Sequence, residues 1–167
     1  HLPFLIEQDE SGQYFLLGHM AKANPHWEYI DGEVLVVFQG PHAYISPTWY
    51  QEENTVPTWN YAVVHVYGEF TLVEEQDELL KILQDTIDYY EASMEQPWKT
   101  DLLGDFNRNL MQAIVGFKIK INRFEGKWKL NQNHSVERRK RLIHGLRKMQ
   151  DINSRKVADL MEQTIEE

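Results

Sequence analysis

Residues 58–73 read TWNYAVVHVYGEFTLV, Thr58 through Val73. Aromatic and β-branched side chains fill the stretch, and these residue types suit a pleated, partly buried surface, so one long strand is predicted here. Gly68 falls inside it and is expected to bend or bulge the strand.

Shorter runs of the same kind flank it. Residues 13–20 (QYFLLGHM) and 33–39 (EVLVVFQ) are predicted strands, separated by the turn signals Asn24-Pro25 and Asp31-Gly32. His42–Ser46 reads as another short strand between Gly40-Pro41 and Pro47. In Ala113–Phe124 the residues Ile114, Gly116, Lys118 and Lys120 alternate with Val115, Phe117, Ile119 and Ile121. Its second half is therefore a strand with one buried face and with its lysines toward water.

Helical spacing appears in three other places. From Glu75 to about Ser93, Leu79, Leu80, Ile82, Leu83, Ile87 and Tyr90 recur on one face, with acids in the first turns where the helix dipole favours them. Ser135 is a predicted N-cap for a helix carrying Leu142, Ile143, Leu146 and Met149, and Asn153 or Ser154 for one carrying Val157, Leu160, Met161 and Ile165. Strands joined by turns, one crossing helix and a helical tail predict an antiparallel sheet or small barrel, mainly β with α, and no Gly-x-Gly-x-x-Gly or Walker loop is present.

The chain has 167 residues, 17 Lys and Arg against 26 Asp and Glu, and a formal charge of −9. That total hides an asymmetry. Residues 118–156 hold 13 basic residues and three acids, a charge of +10, whereas residues 1–117 carry −15 and the final residues −4. A hydrophobic content of 42% suffices for a core, and the absence of cysteine removes disulfides and thiolate chemistry. No window approaches the roughly 18 apolar residues that span a bilayer. A soluble protein of the cytoplasm, with no membrane partner, is expected. The chain opens at His1 in mid-pattern, so an upstream piece is expected as well.

Three stretches concentrate aromatic, histidine and proline residues: GHMAKANPHW at 18–27, GPHAYISPTWY at 40–50 and VPTWNY at 56–61. Strand ends and loops are where barrels place ligand sites. His19, His26, His42 and His65 lack the helical spacing of His-Glu-x-x-His, so no metal site is expected, and Ser46 precedes a proline rather than standing in a Gly-x-Ser-x-Gly elbow. No catalytic residue is assigned.

The order HLPFL, GHMAKANPHW, GPHAYISPTWY, VPTWNYAVVHVYGEF, IVGFKIKI and GKWKLNQN resembles the PaiB family over nearly the whole chain. These proteins are described as FMN-binding negative transcriptional regulators, or protease synthase and sporulation negative regulatory proteins. The resemblance implies an FMN-binding split β-barrel with C-terminal helices, residues 1–133 forming the barrel and 134–167 the helical region, with further N-terminal strands expected before HLPFL. It also implies a homodimer that binds FMN or a related flavin. Lys22 matches a phosphate-binding basic residue, with His19, Met20 and Ala21 passing the ligand by backbone. Thr58, Trp59, Asn60 and Tyr61 match the strand along the flavin ring, Asn60 at its pyrimidine edge, and Lys129 and Gln132 of KLNQN are carried over by proximity.

Other readings of these residues stand beside these. Lys22 suits an ordinary solvated lysine equally well, and Trp27, Trp49, Tyr50 and Trp59 are more often packing aromatics than ligand walls. The basic segment either balances the acidic body or offers Arg138, Arg141 and Lys148 to promoter DNA. The functional expectation is a repressor of degradative-enzyme and sporulation genes. The alternative is a flavin-dependent oxidoreductase acting on a small molecule.

Overall fold

The computed structural model describes residues 1–166. Its strands are β1 (Leu5–Gln8), β2 (Tyr14–Ala21), β3 (Glu33–Ile45), β4 (Thr58–Val73) and β5 (Ile114–Lys129), and its helices α1 (Gln76–Glu91), α2 (Asp105–Met111), α3 (Val136–Arg147) and α4 (Ile152–Glu166). The strands form one antiparallel sheet in the order β1-β2-β5-β4-β3. The sequence predicted β4 with the boundaries it has. It predicted two strands where β3 is continuous, and the reason lies at Gly40. A Cβ there would stand 3.0 Å from the Ala62 carbonyl oxygen, so this glycine permits a close approach to β4 instead of ending the strand. Pro41 is tolerated because β3 is an edge strand. The sequence reading omitted β1 and α2, which span only four and seven residues.

By contact density the chain divides into two compact units, His1–Leu35 with Tyr67–Arg123, and Val36–Val66 with Phe124 onward. Strands β3, β4 and β5 contribute residues to both.

In the first unit β2 pairs with β1 and β5, Leu5 opposite Leu17 and Leu17 opposite Lys118. Leu16, Leu17, Met20, Ile82, Phe117 and Ile119 are buried there. The Phe117 ring stacks on Phe70 at 5.1 Å and meets Phe4 edge-on at 6.0 Å. The alternation read in β5 holds, since Phe117 and Ile119 are buried and Lys120 is exposed, while Lys118 pairs with Glu78 of α1. His19 is half-buried on β2, and burial lowers its pKa from the usual 6.5. The unfolded chain then takes up that proton first as pH falls. The stability contributed by the neutral imidazole is complete above about pH 6.5 and is lost as pH drops through the lower folded value. Between about pH 7.5 and pH 5.5 the urea midpoint is expected to fall more for the native chain than for His19→Gln. Equal falls would show that His19 is not the group responsible.

In the second unit, Ala43, Ile45, Tyr50, Leu130, Leu142, Ile143, Leu146, Val157, Ala158 and Met161 form one buried cluster. Helix α3 begins as predicted, with the Ser135 hydroxyl accepting from the Arg138 N–H. Gly145 lets this helix seat against the Trp49 indole, because a Cβ at that position would enter the ring. Helix α4 starts earlier than expected. The Asp151 carboxylate accepts from the Ser154 N–H at 2.8 Å and occupies the capping role assigned to Asn153 or Ser154. Asp is as good an N-cap as Ser or Asn, and Ser154 is buried. Met149, predicted on the apolar stripe of α3, lies past the end of that helix and is 43% exposed.

Candidate functional site

Alternation along the first residues of β4 separates two cavities, both within the second unit. Thr58 and Asn60 line a cavity of about 600 Å³ together with Tyr50, Trp128, Lys129 and Arg138. Trp59 lines another of about 490 Å³. Both volumes lie within the range of about 300–1,000 Å³ usual for small-molecule sites.

The larger cavity is built by the end of β5 and the turn after it. Asn131 adopts a left-handed conformation, φ +59. Gln132 closes this turn, its Oε1 accepting from the Leu130 N–H and its Nε2 donating to the Trp128 carbonyl, both at 2.8 Å. The Gln132 amide is thereby committed to the backbone, and its structural role is to shape the rim. Lys129 Nζ donates to Thr58 Oγ1 at 2.8 Å and stands 5.9 Å from the Tyr61 ring centroid. Asn60 is fully buried. Its Nδ2 donates only to the Met161 thioether at 3.5 Å, and its Oδ1 has no partner. A buried carbonyl without a donor costs about 1–3 kcal/mol, so this acceptor is open to a donor from solvent or from a ligand.

Opposite stands a cationic wall. The Arg138 guanidinium lies 4.3 Å over the Tyr50 ring, and its Nη1 is 3.2 Å from His134 Nδ1. Burial first and the Arg138 charge second lower the His134 pKa, with Glu52 opposing. That favours the neutral imidazole, whose Nδ1 then accepts from Arg138. Glu52 also pairs with Arg141, so two guanidiniums share one carboxylate. Asn131 donates to the Tyr50 hydroxyl at 3.2 Å and keeps an unpartnered buried Oδ1 of its own. Asn131 and His134 were not among the expected site residues. The only sequence signal for them was the KLNQNH run itself.

The remaining expected residues lie elsewhere. His19, Met20, Ala21 and Lys22 belong to the first unit, where Met20 is buried and Ala21 pairs with Ile114. The Lys22 backbone is held at both ends, its N–H donating to Ala113 and its carbonyl accepting from the Trp27 indole, and its side chain is exposed. Of the three residues named for DNA, Arg138 and Arg141 are engaged with Glu52, and Lys148 is exposed at the C-cap of α3. Arg147 pairs with Asp159 and Glu162 of α4. Among the described residues no group of three or more His, Asp or Glu converges as a metal site, and no helix is long and apolar enough to cross a membrane.

Residues 1–123 match a family model described as "Putative FMN-binding domain". A Bacillus subtilis protein named protease synthase and sporulation protein PAI 2 is 39% identical over 165 residues, 97% of this chain and 78% of the relative. The chain belongs to the PaiB family. An uncharacterized protein of Emericella nidulans is 30% identical over 87% of the chain and 73% of its own length. Two solved structures share the fold at low identity. They are the flavocytochrome Anf3 of Azotobacter vinelandii (TM-score 0.50, 12% identity, 76% of this chain) and a FAD- and haem-binding protein of Mycobacterium smegmatis (TM-score 0.52, 13%, 76%). The chain spans 54% and 58% of those two structures. The fold of this PaiB-family chain is that of the flavin-binding split barrels.

FMN is thus the cofactor to test against the residues present. The larger cavity offers ammonium and guanidinium donors suited to a phosphate, aromatic side chains suited to a ring, and an unpartnered buried carbonyl suited to a ring N–H. This donor set fits. Bound FMN would bring a redox-active, visibly coloured ring, while the chain itself supplies binding, orientation and exclusion of water.

Proposed function

We propose that the protein is a flavin-binding repressor, acting as a cytoplasmic homodimer on promoters of degradative-enzyme and sporulation genes. One observation carries this reading beyond family membership. Arg138 belongs at once to the wall of the flavin candidate cavity and to the basic helix α3. A ligand phosphate drawn to Arg138 competes with Glu52 for the guanidinium, so occupancy of the cavity and the charge displayed by α3 are coupled. Within the cavity Thr58, Asn60 and Lys129 bind the flavin, and Gln132 holds the rim. Trp59 and Tyr61 support the strand, and His19, Met20, Ala21 and Lys22 are proposed as flavin contacts on the family resemblance alone. Toward DNA, Lys148 is joined by Lys140 and His144, all exposed at successive turns of α3 or its cap.

The test is an FMN titration of the full chain, followed by promoter binding at several salt concentrations with and without flavin. FMN fluorescence is expected to be quenched on binding. DNA affinity is expected to fall steeply with salt, by roughly 0.9 in log–log slope for each phosphate contacted. The slope is expected to become shallower in a Lys140→Gln, Lys148→Gln double variant. Affinity that is flat with salt would rule out direct DNA binding through α3. Flavin colour bleached by a nicotinamide reductant would replace the repressor with the oxidoreductase.

A further inference from the structure

Of the residues of the smaller cavity only Trp59 enters that reading, as support for the strand, and the walls are of a different character. His42, Tyr44, Trp49 and Trp59 bring four aromatic rings to it, with the Met149 thioether and the Asp151 carboxylate completing the lining. His42 stacks on Trp59 with centroids 5.6 Å apart, and Tyr44 meets the same indole at 6.4 Å with the planes tilted by 56°. Trp59 is 46% exposed and Tyr44 49%. Rings this large left half in water, side by side in a cavity, mark a surface that something covers. Trp49 is held in place against Gly145 of α3, so one wall is rigid.

Charge decides what the occupant is. Among the described residues neither lysine nor arginine lines this cavity, and its only carboxylate is Asp151. Capping fixes that carboxylate and, through the Ser154 N–H above all, holds its pKa below the ordinary range, so it is ionised near neutrality. The faces of aromatic rings carry negative potential. An anion finds no side-chain cation on this wall, whereas a cation of low hydration gains from the ring faces and from the Asp151 carboxylate, which offsets the N-terminal dipole of α4 beside it. From this geometry we propose that the cavity formed by His42, Tyr44, Trp49, Trp59 and Asp151 binds an organic cation of the alkylammonium class. The site is independent of the flavin candidate, since Thr58 and Asn60 line the other cavity.

Choline chloride is the probe, titrated into the full chain and followed by tryptophan fluorescence and calorimetry. Its neutral isostere 3,3-dimethylbutan-1-ol has the same shape without the charge. Saturable choline binding is expected, with the alcohol weaker by about tenfold or more. Asp151→Asn keeps a good N-cap while removing the charge, so it is expected to fold cooperatively with a melting temperature only a few degrees lower and to weaken choline by about tenfold. Trp59→Leu is expected to abolish binding and Trp59→Phe to retain most of it, which separates loss of the ring from loss of the fold. Equal binding of choline and the alcohol would overturn the proposal in favour of a plain apolar groove. So would choline affinity unchanged in Asp151→Asn. Failure of choline to bind would overturn it, and tryptophan emission that depends on protein concentration in the native chain but not in Trp59→Phe would assign this face to a second copy of the chain.

Discussion

Gly68→Val is expected to cost on the order of 3 kcal/mol or more and to remove the cooperative urea transition of the first unit. A Cβ at this position would fall inside the contact radius of the Lys120 carbonyl oxygen, 2.7 Å from Ile119 Cγ2 and 3.0 Å from the Lys120 carbonyl carbon. Two of those three atoms are backbone of the neighbouring strand, so no side-chain rotation relieves the clash. The strands must part where Phe117 and Ile119 enter the core. Alanine at 68 already demands such a shift. Gly126, on β5, is the control, because nothing lies within 4 Å of the Cβ it would carry. Gly126→Val is expected to be near neutral, since valine suits an extended strand. If Gly68→Val melts like the native protein, the close β4–β5 approach is not the constraint described above.

Asn60→Leu is expected to separate folding from ligand binding. The native amide is fully buried, makes one weak bond to Met161, and leaves its carbonyl oxygen without a donor. Leucine has a similar shape and carries neither polar atom, so stability without ligand is expected to be unchanged or to rise by about 1–3 kcal/mol, the cost of the orphaned group. FMN affinity is expected to fall by about ten- to a hundredfold, the equivalent of one buried hydrogen bond. Thermal melts without ligand and fluorescence titrations with FMN measure the two effects on the same sample. A variant that loses stability and binds FMN as before would show Asn60 to be a packing residue. An unpaired buried acceptor on a cavity wall is a place where a ligand N–H adds a bond that the fold itself does not supply.

Much of this was legible in the sequence because the deciding signals are local. The β-branched and aromatic run of β4, the alternation of Phe117 and Ile119 with Lys118 and Lys120, and Ser135 ahead of the Leu142–Leu146 stripe each depend on neighbours in the chain. The misses came from partners distant in sequence. Gly40-Pro41 reads as a break until Ala62 is placed beside it; the α4 cap is a local miss instead, since the Asp151 carboxylate takes the Ser154 N–H and leaves Ser154 inside the helix. In the site, Thr58 and Asn60 were expected to act alongside Trp59, but adjacent residues of a strand face opposite ways and line different cavities. Arg138 and Arg141 read as a charged stripe because no local feature ties them to Glu52.

Pro41 has a consequence for how this chain meets others of its kind. The outer border of β3 is a row of backbone groups with no neighbouring strand in the sheet, and Leu35 and Val37 beside it are half-exposed. Such a border invites an extra strand and, repeated from chain to chain, fibrous growth. A proline is tolerated in an edge strand where its missing N–H faces away from the sheet, and with Pro41 so placed an incoming strand cannot complete an unbroken ladder across it. A single imino acid in the middle of a long strand therefore works against aggregation at a place where the sequence supplies no charge.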